Sequence, residues 1–214
     1  MTPHILYRVF DKLEYAEQFL EGFVRYSTLE HFNSSADKVR VDNTGGYGKL
    51  KIDGEKLIVD HKNKTLTSTP GIENLHVDGG EKGTFIYCFS SPSSGKIQDL
   101  PTKFGRYIVR IKDPEALFQD VQNAIHNDPG LNEFKLELNR EMVRYDKEAY
   151  QKSVTEKEID TLGWTQKPKM YADEFEYRYS FGLFHHESIG SPKHYTVKVD
   201  GGFSYCDLIR RMKL

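Results

Sequence analysis

From Tyr171 to Phe181 the chain reads Tyr-Ala-Asp-Glu-Phe-Glu-Tyr-Arg-Tyr-Ser-Phe. From Glu174 onward, polar and aromatic residues alternate without a break. Side chains of a β-strand point to its two faces in turn, so this pattern spells a strand. Phe175, Tyr177, Tyr179 and Phe181 share one face; Glu174, Glu176, Arg178 and Ser180 share the other. The aromatic face needs a core to cover it. The charged face admits two readings. It is either the wet side of an antiparallel sheet, where Arg178 pairs with a glutamate for little net stability, or a pair of carboxylates standing side by side as a site.

The chain of 214 residues is long enough to bury a sizeable core without disulfide staples, and it reads as a single domain, residues 1–214. Only 37% of it is hydrophobic, yet Tyr and Phe number 13 each, so much of that core must be aromatic. A formal net charge of -2 gives no global drive toward nucleic acid. Two local basic runs (Lys103, Arg106, Arg110, Lys112 and Arg210, Arg211, Lys213) are either phosphate-tracking patches or solvated faces. The two cysteines, Cys88 and Cys206, form neither a disulfide framework nor a zinc pattern, and His185-His186 and His194 lack ligand spacing, so no metal is expected. The N-terminal segment has no signal-peptide pattern, and no apolar run approaches the roughly 20 residues of a membrane span. The expectation is a cytoplasmic protein with no membrane partner.

Along the chain, 5–10 reads as a strand, 11–22 as a helix stopped by Gly22, and 23–28 as a strand followed by a short helical turn at 29–32. Residues of about 33–84 are rich in turn formers and read as hairpins and loops, with Asp53-Gly54 joining the runs Lys49–Ile52 and Lys56–Val59. Strands are expected at 85–89 and 106–111. Asp113-Pro114 then opens a helix whose buried stripe is Leu117, Val121 and Ile125. A charged helical insertion is expected at about 128–163, then the aromatic strand, a strand at 195–199, and a C-terminal helix from about Asp207. The order is α+β with a mostly antiparallel sheet.

Four groups of residues have chemical potential. Arg8 lies between Leu6 and Phe10 on its own face of the first strand. It is an edge arginine with its head in water or an anion clamp, since guanidinium offers two parallel donors. Ser27 and Thr28 end the second strand, where hydroxyls cap helices. Arg40-Val-Asp42 with Gly45-Gly46 is a solvated turn or a binding loop. Glu174 and Glu176 are the carboxylate pair. No P-loop, G-x-G-x-x-G, G-x-S-x-G or H-E-x-x-H motif occurs.

The order of these elements resembles the arginine–serine–glutamate class of ADP-ribosyltransferases. Arg8 stands in Leu-Tyr-Arg-Val-Phe, Ser27 and Thr28 in Arg-Tyr-Ser-Thr-Leu, and the pair in Glu174-Phe-Glu176. The segment 22–29, Arg40-Val-Asp42, Tyr87-Cys-Phe-Ser90 and Glu174-x-Glu-x-Arg178 also resemble bacterial toxins and phage-defence effectors of ADP-ribosyltransferase-like fold. The serine element reads Ser-Thr-Leu rather than Ser-Thr-Ser, and Phe89-Ser-Ser91 competes for that role through Ser90.

The resemblance implies a split, mostly antiparallel sheet with flanking helices that binds NAD as substrate. Arg8 would hold the diphosphate or adjacent ribose, and Ser27, with Thr28 beside it, the nicotinamide ribose. Arg40 would belong to the NAD-binding loop, and Tyr7, Tyr26 or Tyr47 would stack on the nicotinamide. Glu176 would stabilise the cationic ribose, whose transition state resembles the oxocarbenium ion of glycoside hydrolysis, while Glu174 would orient or deprotonate the acceptor. The implied activity is a toxin-type mono-ADP-ribosyltransferase acting on RNA, DNA or a host protein, with a neutralising antitoxin as partner. The alternatives are an NAD glycohydrolase and a non-catalytic binding module of the same fold.

Overall fold

In a computed structural model, the described residues are 3–28, 31, 47–51, 58–60, 65–67, 75–78, 84–131, 136–145, 149–150, 153–155, 165, 167, 169–182 and 193–210. The strands are β1 (Leu6–Phe10), β2 (Phe23–Thr28), β3 (Tyr47–Lys51), β4 (Ile58–Asp60), β5 (Thr65–Thr67), β6 (Leu75–Asp78), β7 (Thr84–Ser90) and β8 (Tyr107–Ile111). They continue with β9 (Asn139–Met142), β10 (Ala149–Tyr150), β11 (Ser153–Thr155), β12 (Glu176–Gly182), β13 (His194–Lys198) and β14 (Cys206–Arg210). Helix α1 spans Leu13–Leu20 and α2 spans Pro114–Asn127. The protein is α+β, and its main sheet of eight strands is antiparallel at every pairing.

The local signals explain the elements they specify. Asp113 caps α2 by accepting from the Ala116 amide at 3.0 Å, with Pro114 in the first turn. Leu117, Val121 and Ile125 are buried on one stripe of that helix. Gly22 ends α1 at φ +98°, and a Cβ there would stand 2.1 Å from the Val199 carbonyl oxygen, so the position demands glycine twice over.

β7 is the axis of the main sheet. One edge pairs with β12 over its whole length, from Glu176–Ser90 to Gly182–Thr84. The other edge is shared. β2 pairs there only at Ser27–Ile86 and Thr28–Phe85, and β1 only at Tyr7–Ser90. On its other edge β1 runs along β8 from Leu6 to Phe10, and β2 runs along β13 from Phe23 to Ser27. Among the described residues, Tyr87–Phe89 therefore have no strand beside them on that edge. β1 and β2, both antiparallel to β7 and linked by α1, splay apart and open a wedge in the sheet.

Below the sheet lies the aromatic core. Tyr177, Tyr179 and Phe181 oppose Phe89, Tyr87 and Phe85 across the strand pair. Phe85 stacks on Phe181 at 5.2 Å, Phe89 meets Tyr179 edge-on at 4.9 Å, and Phe118 of α2 meets Tyr179 at 5.5 Å. Such pairs contribute about 0.5–1.5 kcal/mol each beyond the area they bury.

Several expectations are corrected. Cys206–Arg210 is an edge strand beside β8, not a helix. Asp207 there accepts from Arg110 at 2.6 Å and Lys112 at 3.1 Å, a cross-strand contact invisible along the chain. The described part of the expected helical insertion is extended: β9 lines the outer edge of β12, β10 lies beside β3, and β11 pairs with β5. Among the described residues, the two runs flanking Asp53-Gly54 do not pair with each other. β3 joins β6 while β4 joins β5, and Asp53-Gly54 itself lies outside the described residues. Arg40 and its loop, His185, His186, Arg211 and Lys213 lie outside them as well. Among the described residues no helix is long and apolar enough to cross a membrane, and no group of three or more His, Cys, Asp or Glu could hold a metal ion.

Candidate active site

The wedge opens into a cleft of about 730 Å³ that unites residues from distant parts of the chain: Arg8 of β1, Ser27 of β2, Cys88 and Ser90 of β7, and Glu174, Glu176 and Arg178 around the start of β12. His31, Lys167 and His194 also line it.

The charged face of the aromatic strand is not wet. Glu174, Glu176 and Arg178 are 3%, 5% and 2% exposed, and a buried charge persists only when it is paired. The two glutamates do not share one strand. Glu174 closes a 3-10 turn over Lys169–Glu174, Glu176 opens β12, and Phe175 between them sits at φ +46°. A left-handed backbone at a non-glycine residue costs of order 1–3 kcal/mol and persists where surrounding contacts hold it. Here the Ser91 amide donates to the Phe175 carbonyl at 2.7 Å and the Glu176 amide to the Tyr145 hydroxyl at 2.8 Å.

Three cations converge on the two carboxylates. Arg178 donates from Nε to Glu176 Oε1 at 2.8 Å and from Nη2 to Oε2 at 3.2 Å. Lys167 Nζ bridges Glu174 Oε2 at 2.7 Å and Glu176 Oε2 at 2.9 Å. Lys103 Nζ takes Glu174 Oε1 at 2.7 Å. Burial pushes the Glu176 carboxyl upward, but Arg178 and Lys167 outweigh it and hold the group well below the usual carboxylate range. Burial works against the Lys167 ammonium, and the two glutamates more than reverse it, so its pKa is raised. Burial, and then the Glu176 charge, push the Cys88 thiol up to about 12. Arg178 and Lys167 thus favour the ionised form of Glu176.

Arg8 fills the gap in the wedge. Its Nη1 donates to the Cys88 carbonyl at 2.5 Å, on the stretch of β7 left without a strand. Its guanidinium lies 4.6 Å from the Tyr87 ring centre and 5.5 Å from that of Phe10. Arg8 Nε is buried with no hydrogen-bond partner among the described residues.

Ser27 Oγ is 2.9 Å from His194 Nδ1, directly across the β2–β13 pair, and the His31 ring meets the His194 ring edge-on at 4.3 Å. Burial, then Arg25, His31 and Lys193, lower the His194 pKa and favour the neutral imidazole. Thr28 Oγ1 accepts from the His31 amide at 3.1 Å.

The expected site is therefore brought together in part. Arg8, Ser27, Glu174 and Glu176 line one cleft. Tyr26 does not; it is fully buried in the aromatic core, 4.9 Å from Phe181 and 5.7 Å from Tyr87. Ser27 and Glu176 also stand apart within the cleft. They oppose Ile86 and Ser90, four residues apart on β7, which is about 14 Å along the strand. Ser90 is the serine beside Glu176. The basic run at 103–112 is spent on internal pairs: Lys103 on Glu174, Arg110 and Lys112 on Asp207, and Arg106 over the Tyr107 ring at 5.2 Å. Sequence reasoning missed Lys167 and Tyr145 and weighed His194 only as a metal ligand; all three reach the site through the tertiary fold. No family model, curated protein or solved structure matches the chain.

Proposed function

We propose that this cleft binds NAD and breaks its nicotinamide–ribose bond, making the protein an ADP-ribosyltransferase that passes ADP-ribose to a macromolecular acceptor. The observation that carries this reading is the meeting of Arg8, Ser27 and Glu176, from three well-separated strands, in one cleft at the split of the sheet. The cleft volume lies within the range of small-molecule sites. The Arg8 guanidinium, which lines the cleft and reaches the β7 edge at Cys88, suits a diphosphate-bearing ligand.

Bond cleavage builds positive charge on the anomeric carbon. Glu176, whose ionised form Arg178 and Lys167 favour and which Arg178 fixes, supplies a preset negative charge to oppose it. The nicotinamide leaves as a neutral base with the bonding electron pair. The acceptor's proton passes to Glu174 or to water, and water as acceptor gives the glycohydrolase reaction. Arg8 would hold the diphosphate. A role as a toxin, in a toxin–antitoxin or phage-defence setting with a neutralising partner, belongs to the same proposal.

The test is incubation of labelled NAD and a cell lysate with the wild type, Glu176→Gln and Arg8→Gln, each checked for folding by thermal melting. Wild type should fix label, and Glu176→Gln should lose about 10²–10³ in rate, the loss typical of one preorganised electrostatic group. RNase, DNase or protease treatment then names the acceptor class. A folded Glu176→Gln protein that turns NAD over at the wild-type rate, or a wild type that neither cleaves nor binds NAD, sinks the proposal.

A further inference from the structure

The cleft has two chemically distinct ends. The carboxylate end is floored by Glu176 at the Ser90 row of β7. The other end lies at the Ile86 row, where Ser27 and His194 face each other across β2 and β13. Alternation places Phe23, Arg25 and Ser27 on one face of β2, with Thr196 and His194 opposite Arg25 and Ser27, and all five line the cleft. Arg8 reaches the β7 edge at Cys88, midway between the two rows.

Resting on the NAD reading above, we infer that the Ser27–His194–His31 end is the adenosine subsite: it holds the vicinal hydroxyls of the second ribose and packs the purine against its rings. Three observations lead there. Ser27 lies about 14 Å along the strand from the Glu176 row, too far to share the reacting ribose but suited to the far end of an extended dinucleotide whose diphosphate meets Arg8. The Ser27–His194 pair shares one proton, and in either tautomer it offers a further donor and a further acceptor. A vicinal diol matches that pattern in both arrangements. Flat faces stand beside the pair: the crossed His31 and His194 rings and the Arg25 guanidinium. Bases stack on such faces without needing a particular hydrogen-bond pattern. His194 and Ser27 are thus binding residues for the part of the ligand that does not react.

The experiment is calorimetric titration of AMP and, separately, of nicotinamide mononucleotide into wild type, His194→Gln and Ser27→Ala. Thermal melting confirms that each variant is folded; Ser27→Ala, which removes one oxygen, covers the case in which His194→Gln does not fold. Either variant should weaken AMP by roughly 10-fold, one lost hydrogen bond's worth, and change nicotinamide mononucleotide by less than about 2-fold. Equal weakening of both nucleotides, or loss confined to nicotinamide mononucleotide, overturns the assignment while leaving NAD binding intact. A wild type that binds neither nucleotide overturns it together with the NAD reading.

Discussion

Lys167 is the residue whose removal tests most directly how the site is held. Its ammonium lies 2.7 Å from Glu174 and 2.9 Å from Glu176, with a tenth of its side chain exposed. Lys167→Met keeps an unbranched chain and deletes the charge. At an effective dielectric of about 20, each of these contacts supplies about 6 kcal/mol of attraction, some ~12 kcal/mol together. Burying the ammonium consumes several kcal/mol of that, and each glutamate retains another cation, Lys103 or Arg178. The net loss at pH 7 falls in the range for breaking a buried pair, about 3–5 kcal/mol. For a chain of this size a loss of ~4 kcal/mol lowers Tm by roughly 8–16 °C. The pH dependence carries the stronger inference. A carboxylate whose folded pKa is depressed gives stability that is present above its unfolded value, about 4.3, and lost as pH falls through the folded value. Glu176 is such a group, and Lys167 is one of the two cations responsible. In Lys167→Met its folded pKa rises, so the variant gives up less stability on acidification, and the gap to wild type narrows between pH 7 and pH 3. Urea unfolding at pH 7, 5 and 3 reads the gap directly. A loss below about 1 kcal/mol at pH 7, or an equal gap at pH 3, would refute the account of the ion cluster.

Two further substitutions probe the fold that shapes the cleft. Gly22→Ala places a Cβ against the Val199 carbonyl at φ +98° and should cost at least ~2 kcal/mol in chemical denaturation, since neither the backbone conformation nor the space admits it; a loss under about 0.5 kcal/mol would contradict the close approach of α1 to the end of β13. Tyr26→Phe should be neutral or stabilising by up to ~1 kcal/mol, because the Tyr26 hydroxyl is buried with no partner among the described residues, and NAD affinity should not change. A clear destabilisation, or a loss of NAD binding, would show that this hydroxyl has a role the aromatic core does not explain.

The parts of the fold legible in the sequence are those fixed by neighbours along the chain. The alternation after Glu176 specifies β12, Asp113-Pro114 with the 117–121–125 stripe specifies α2, and Gly22 stops α1, because in each case the burial pattern and the local propensity agree. Where partners are distant, local pattern misleads. Asp207, Arg210, Arg211 and Lys213 look like the charged side of a helix, but Asp207 is held by Arg110 and Lys112 of the adjoining strand, and this pairing outweighs helix propensity.

The site divides along the same line. Glu176 and Arg178 are two residues apart, so strand geometry brings their side chains to one face, and their pairing is readable. That the face is buried is not readable, because alternating charge ordinarily marks the wet side of a sheet. Burial here depends on Lys167, Lys103 and Tyr145 arriving from three other segments to satisfy the carboxylates and the backbone between them. The wedge that receives Arg8 is likewise a property of register: two strands meet β7 at different rows and part between them, leaving the Cys88 carbonyl for a guanidinium. A cleft of this kind arises from where pairing stops. Strand patterns encode where pairing occurs, so Arg8, Ser27 and Glu176 are legible as residues and their separation of two rows on β7 only as structure. That separation gives the cleft a carboxylate end at Glu176, a guanidinium at its middle from Arg8, and a serine–histidine end at Ser27 and His194.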